Sequence, residues 1–103
     1  MKNQMRAIHP GEILKEEYLV PLGLSVNALA KALHVTPSRI NDIVLCRRGV
    51  TPDTALRLAR YFGGDAQSWL NLQQSYDLKV AEQSALKTIM KTVMPMSAVA
   101  LVH

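Results

Sequence analysis

Residues 26–45 read Val-Asn-Ala-Leu-Ala-Lys-Ala-Leu-His-Val-Thr-Pro-Ser-Arg-Ile-Asn-Asp-Ile-Val-Leu, and their spacing predicts two short helices joined by a tight turn. Val26, Leu29, Ala30 and Leu33 recur at i, i+3, i+4 and i+7, which places them on one helix face. Ile40, Ile43 and Val44 repeat the spacing in the second helix. Between them lies His34-Val35-Thr36-Pro37. Thr36 is suited to accept from free backbone N–H groups as an N-cap, and Pro37 fits the first helical position, where no N–H is needed. Ala30 is small enough for a second helix to cross closely over the first. Together these residues predict a helix-turn-helix whose second helix is offered to a DNA major groove.

Composition narrows the setting. A chain of 103 residues suits one domain with a modest core. Apolar residues reach 49 % and aromatics only 5 %, so the core must be aliphatic. At 19 % charged, the surface has room for apolar area that a dimer or another partner would cover. The formal charge of +4 is uneven: residues 1–63 hold nine Lys/Arg against five Asp/Glu, and residues 64–103 hold three of each. The basic half is thus the half with the helix-turn-helix pattern, as a phosphate-binding face requires. Cys46 is the single cysteine, which excludes an intramolecular disulfide and fits a reducing cytosol. No apolar stretch follows the polar N-terminus and none reaches the ~18 residues of a membrane span, so the expectation is a cytoplasmic protein without signal peptide or membrane contact.

Outward from the central stretch, the chain reads as all-α. His9-Pro10-Gly11-Glu12 opens a first helix, with Ile13, Leu14 and Tyr18 inward, and Pro21-Leu22-Gly23 is expected to end it. Ser25 caps the second helix and the third runs from about Pro37 to Leu45. Cys46-Arg47-Arg48-Gly49-Val50 forms a basic loop. Thr51-Pro52-Asp53 signals a fourth helix with Ala55, Leu58, Ala59 and Phe62 inward, stopped by Gly63-Gly64. Asp65 caps a fifth, with Trp69, Leu72 and Tyr76 on one face, extending to about Met90 with a fraying or bend expected over 77–84. Pro95 ends it, and an apolar tail follows.

These stretches resemble the five-helix fold of phage-type repressors, and more closely the HigA/VapI family of antitoxins. The resemblance rests on His9-Pro10-Gly11-Glu12-Ile13-Leu14, on Leu29-Ala30-Lys31-Ala32-Leu33 and on Val35-Thr36-Pro37-Ser38-Arg39-Ile40. It continues in the run from Thr51 to Ala59 and in the Trp69 to Leu78 segment, so that it spans residues 8–80. Residues 8–80 are read as the DNA-binding domain, and residues 81–103 as a C-terminal helix extension and tail suited to dimerisation. The resemblance implies a homodimer that represses its own operon at a double-stranded operator. It also implies a small cognate toxin as partner, a ribosome-dependent mRNA-cleaving protein that the antitoxin neutralises. Three departures from the family pattern stand out, one being the tail after about residue 80, which carries no family pattern. His34 stands where Gly is usual and must tolerate a left-handed backbone, and Leu45-Cys46-Arg47 replaces Asn-Gly-Lys/Arg.

A recognition helix reads bases with residues near its N-terminus and on its outward face, here Thr36, Ser38, Arg39 and Asn41. Arg39 suits guanine, Asn41 suits adenine, and Asp42 fits this face if it orients Arg39 or meets a cytosine amino group. Phosphate contacts are expected from Ser25, Asn27, Arg47 and Arg48. Trp69 is read as core or dimer interface by its spacing with Leu72 and Tyr76. Catalytic, metal and cofactor sites are not expected: the three histidines and Cys46 lack ligand spacing, and no P-loop or dinucleotide fingerprint is present. Two other readings stay open, a toxin-masking module with weak or no DNA binding and a solitary transcription regulator.

Overall fold

A computed structural model describes residues 6–97; residues 1–5 and 98–103, including most of the expected apolar tail, lie outside the described residues. Five helices account for the described chain, with no strand among its residues: α1 over residues 10–22, α2 Val26–Leu33, α3 Pro37–Val44, α4 Pro52–Phe62 and α5 Ala66–Thr92. The all-α expectation holds.

Pro21 departs from expectation. It lies inside α1, which continues to Leu22. The helix achieves this by widening over Leu14–Leu19 into π-type turns, where the Val20 N–H bonds five residues back to the Lys15 carbonyl. Wider turns relieve the clash a proline ring makes with the carbonyl one α-turn before it. The true stop is Gly23, left-handed at φ 62°.

Three helices in succession end the same way. The N–H of Leu24 reaches the Leu19 carbonyl at 2.9 Å, that of Val35 reaches Ala30 at 3.0 Å, and that of Arg47 reaches Asp42 at 2.8 Å. Each is a six-to-one bond across a left-handed residue, the Schellman arrangement. Those left-handed residues are Gly23, His34 at φ 59° and Cys46 at φ 63°. The conformation expected of His34 is present, and Cys46 repeats it where the family pattern places glycine.

The core is a cluster of Leu14, Leu19, Leu29, Ala30, Leu33, Ile40, Ile43, Val50, Ala55, Leu58 and Trp69. Tyr18 bridges Phe62 and Trp69, with ring centroids 4.7 and 5.4 Å away. Trp69 is thus a core residue that seats the first turns of α5. α5 does not fray over 77–84: its 27 residues form one unbroken helix roughly 40 Å long. Exposed polar residues there do not oppose helix, and the Gln73 amide supports it by donating to Asp77 one turn on, at 3.0 Å. Leu78, Leu86, Ile89 and Met90 on this distal half, and Val93 just past it, are exposed.

His9 is buried, which its sequence context did not announce. Its Nδ1 accepts the Gly11 N–H at 2.8 Å and so caps α1, and its ring meets Tyr76 of α5 edge-on at 4.8 Å. Burial pushes its pKa below the ordinary 6.5, against smaller upward pulls from Asp77 and Glu12. The folded state therefore binds the proton more weakly than the unfolded chain, and stability present above pH 6.5 should be lost progressively as pH falls toward the lowered value. Thermal melts between pH 7.5 and about 5 should show this decline, and His9→Asn, which can cap without titrating, should flatten it. A wild-type profile that is already flat would contradict the burial of a neutral His9.

Candidate nucleic-acid interface

Two close approaches set the position of α3. Gly11 lies against the Ile43 carbonyl, where any Cβ would collide with backbone oxygen. This brings the start of α1 directly onto α3. On the other side α2 packs against α3, with Leu29, Ala30, Ile40 and Ile43 all fully buried between them. Thr36 caps α3 by accepting the Arg39 N–H at 3.3 Å, and its hydroxyl also lies 3.2 Å from that of Ser38. With its apolar face locked inward, α3 can present only its polar face outward.

On that face Thr36, Ser38 and Asn41 are exposed, and Arg39 is half-buried. Ser38 and Asn41 share a groove of about 440 Å³ with Ser25, Val26, Asn27 and Pro37 at the start of α2. Ser25 accepts the Ala28 N–H at 3.0 Å as the α2 cap, which leaves its O–H as a donor toward the groove. Residues expected to read bases and residues expected to hold phosphate thus meet on one concave surface.

The arginines are arranged differently from expectation. Asp42 does not orient Arg39; it lies 3.3 Å from Arg47 and 3.7 Å from Arg48. Arg39 turns instead to Asp53 of α4, its Nη1 donating to Oδ2 at 2.8 Å. The same oxygen accepts from Arg57 Nε at 2.9 Å. Arg57 in turn donates through Nη1 to the Leu33 carbonyl at the end of α2, 2.8 Å away. The Arg57 and then the Arg39 hydrogen bonds hold the Asp53 carboxyl below its usual pKa. A second groove, of about 520 Å³, is lined by Arg39, Arg48, Gly49, Thr51, Asp53, Thr54 and Arg57.

The loop with Arg47 and Arg48 is anchored from behind. Gln73 Oε1 accepts the Val50 N–H at 2.7 Å, and its amide occupies the space a Cβ on Gly49 would need. Asp53, Arg57 and Gln73 were not singled out by sequence reasoning for this region. Gln73 had no signal apart from the family motif, whereas Asp53 and Arg57 carried the four-residue spacing of a helical ion pair. Among the described residues no group of three or more His, Cys, Asp or Glu is arranged to hold a metal ion, and no helix is long and apolar enough to cross a membrane.

A helix pair of this geometry defines a helix-turn-helix module, and known proteins extend the assignment. The helix-turn-helix family matches residues 14–69. Virulence-associated protein I of Dichelobacter nodosus is 69 % identical over 96 residues, covering 93 % of this chain and 87 % of its own. Antitoxin HigA-1 of Vibrio cholerae is 36 % identical over 78 residues, 75 % of this chain and 72 % of its own. The structure of Pseudomonas aeruginosa antitoxin HigA with the higBA promoter superposes with a TM-score of 0.86 at 47 % identity, covering 87 % of this chain and 98 % of that one. The chain belongs to the helix-turn-helix family, in its HigA/VapI antitoxin branch.

Proposed function

We propose that this protein is a homodimeric repressor of its own operon, bound at a double-stranded operator, and the antitoxin that neutralises a small mRNA-cleaving, ribosome-dependent toxin. The observation that carries the reading is the groove between α2 and α3, where Ser25, Asn27, Ser38 and Asn41 converge beside the recognition helix. Residues 8–80 are assigned to DNA binding. In this reading Thr36, Ser38, Arg39 and Asn41 contact bases, and Ser25, Asn27, Arg47 and Arg48 contact phosphates. One recognition helix covers a half-site, so a dimer spaces two of them about 34–36 Å apart. The apolar residues exposed along the distal part of α5 support residues 81–103 as its extension and dimer-forming region. The relatives' names, one an antitoxin with its promoter, support both the operator and the toxin partner.

Fluorescence anisotropy on the upstream DNA and on scrambled DNA of equal length tests the repressor assignment. At about 150 mM salt a thousandfold preference is expected. Equal, weak binding to both would leave a toxin-masking module in its place. Within this reading Arg39→Ala should weaken operator binding by roughly 1–3 kcal/mol and relax the preference at one base. Arg47→Ala should weaken binding to every sequence and lower the salt slope by about one; an unchanged slope removes Arg47 from the phosphate contacts. The antitoxin half is tested by expressing the small neighbouring toxin, whose growth arrest this protein should relieve.

A further inference from the structure

Each of four arginines near the recognition helix is paired to an aspartate, and each aspartate serves two of them. Asp42 takes Arg47 and Arg48, loosely, at 3.3 and 3.7 Å. Asp53 takes Arg39 and Arg57, tightly, at 2.8 and 2.9 Å through a single oxygen. The two clusters differ in what they hold. Arg47 and Arg48 are exposed loop side chains in a region expected to touch only phosphate. Arg39 is half-buried, and it lies with Arg48, Arg57 and Asp53 around one concave surface at the edge of α3. There the Asp53 carboxylate sits among guanidinium groups, which pair with phosphate as readily as with a carboxylate.

We propose that Asp53 is a specificity-determining residue, which holds Arg39 in one geometry toward the bases and denies Arg39 and Arg57 to the phosphates of arbitrary DNA. The inference rests on the assignment of α3 as an operator reader. An arginine free to swing lowers its energy on any phosphate it reaches, and that gain is the same for every sequence. One pinned by a carboxylate at Nη1 keeps its remaining donors for a base edge at a fixed place and loses most of its value as a free cation. The cost falls on non-specific binding, and discrimination rises. Arg57 is pinned from two sides, by Asp53 and by the Leu33 carbonyl, so the clamp is referenced to the end of α2 and to the start of α4. Asp53 stands at the second position of α4 and does not cap it; Thr51 does, accepting from the Thr54 N–H. Its replacement therefore leaves the helix start in place.

The test compares Asp53→Asn with Asp42→Asn in the full-length protein, each removing one negative charge beside two arginines. Anisotropy titrations on operator and scrambled DNA, over a range of salt, read out both affinities and both slopes. Asp53→Asn is expected to raise affinity for scrambled DNA about fivefold or more, and to steepen its salt slope by about one phosphate contact. Operator affinity should stay level or fall, so that the ratio of the two drops about tenfold. Asp42→Asn should raise both affinities by similar factors and leave the ratio within about twofold. Adding Arg39→Ala and Arg57→Ala to Asp53→Asn should return scrambled-DNA binding to the wild-type level or below. Melting curves of the two aspartate variants establish that both are folded. If Asp53→Asn and Asp42→Asn shift operator and scrambled DNA alike, the effect is net charge alone and the proposal is overturned. If the wild type itself has no operator preference, the operator reading fails separately. A steeper slope of Asp53→Asn on scrambled DNA would then still report the masking of Arg39 and Arg57, and an unchanged one would refute it.

Discussion

Gly11→Ala is expected to be among the most damaging single substitutions in this chain, lowering stability by about 3 kcal/mol or more and the melting temperature by over ~10 °C. The methyl group would collide with the Ile43 carbonyl oxygen. Overpacking against a side chain is relieved by a rotamer change, but here the obstacle is the main chain of α3, bonded into its own helix. Relief must come from moving α1 or α3 as a body, which opens the buried contacts of Leu14, Ile40 and Ile43. The same displacement should weaken operator binding, because α3 would leave its place beside α2. Melts at one fixed protein concentration, which the proposed dimer calls for, measure the effect. A variant that melts within a few degrees of wild type would show that α1 and α3 do not meet so closely.

Trp69→Ala should cost about 3–5 kcal/mol, the range of large aromatic deletions from a core. Trp69 is 5 % exposed and packs on Tyr18, which also holds Phe62. Its loss removes the one buried side chain of α5, where Ala66, Leu70 and Leu72 are only partly buried. Trp69→Phe should retain much of the stability and DNA binding. Intact melting behaviour in Trp69→Ala combined with lost DNA affinity would instead assign the indole to base stacking.

Most helix positions were legible because local chemistry and helical period agree. Ser25, Thr36, Thr51 and Asp65 each cap the helix their spacing predicted. The misreadings came where a wider context overrides a local rule. Pro21 reads as a stop, yet six residues of π-type turn before it make room for the ring. The polar run 77–84 reads as a weak point, yet a helix needs no apolar face to continue in water if its residues favour helix. His9 reads as part of an opening motif, and only its placement under Tyr76 makes it a buried cap. Cys46 carried one clue, its departure from the family's glycine, and its φ of 63° gives that clue a meaning.

The surface offered for DNA divides along the same line. Ser38 and Asn41 were readable as outward-facing because Ile40 and Ile43, on the same short helix, had to face inward; one helical period decides both. Asp53 and Arg57 were readable as a pair from their four-residue spacing, but the partners that tie α3 and α2 to α4 were not. Arg39 and Asp53 are fourteen residues apart on different helices, and Arg57 meets the Leu33 carbonyl across twenty-four. By itself the sequence determined the helices, their caps, the buried stripe and the polar face, since each follows from neighbours within a turn or two. Only the tertiary structure decided that Asp53 also holds Arg39, that Arg57 reaches the Leu33 carbonyl, and where α1 touches α3. Those contacts depend on how rigid helices cross, and a crossing is set by the whole packed core rather than by any one stretch of chain.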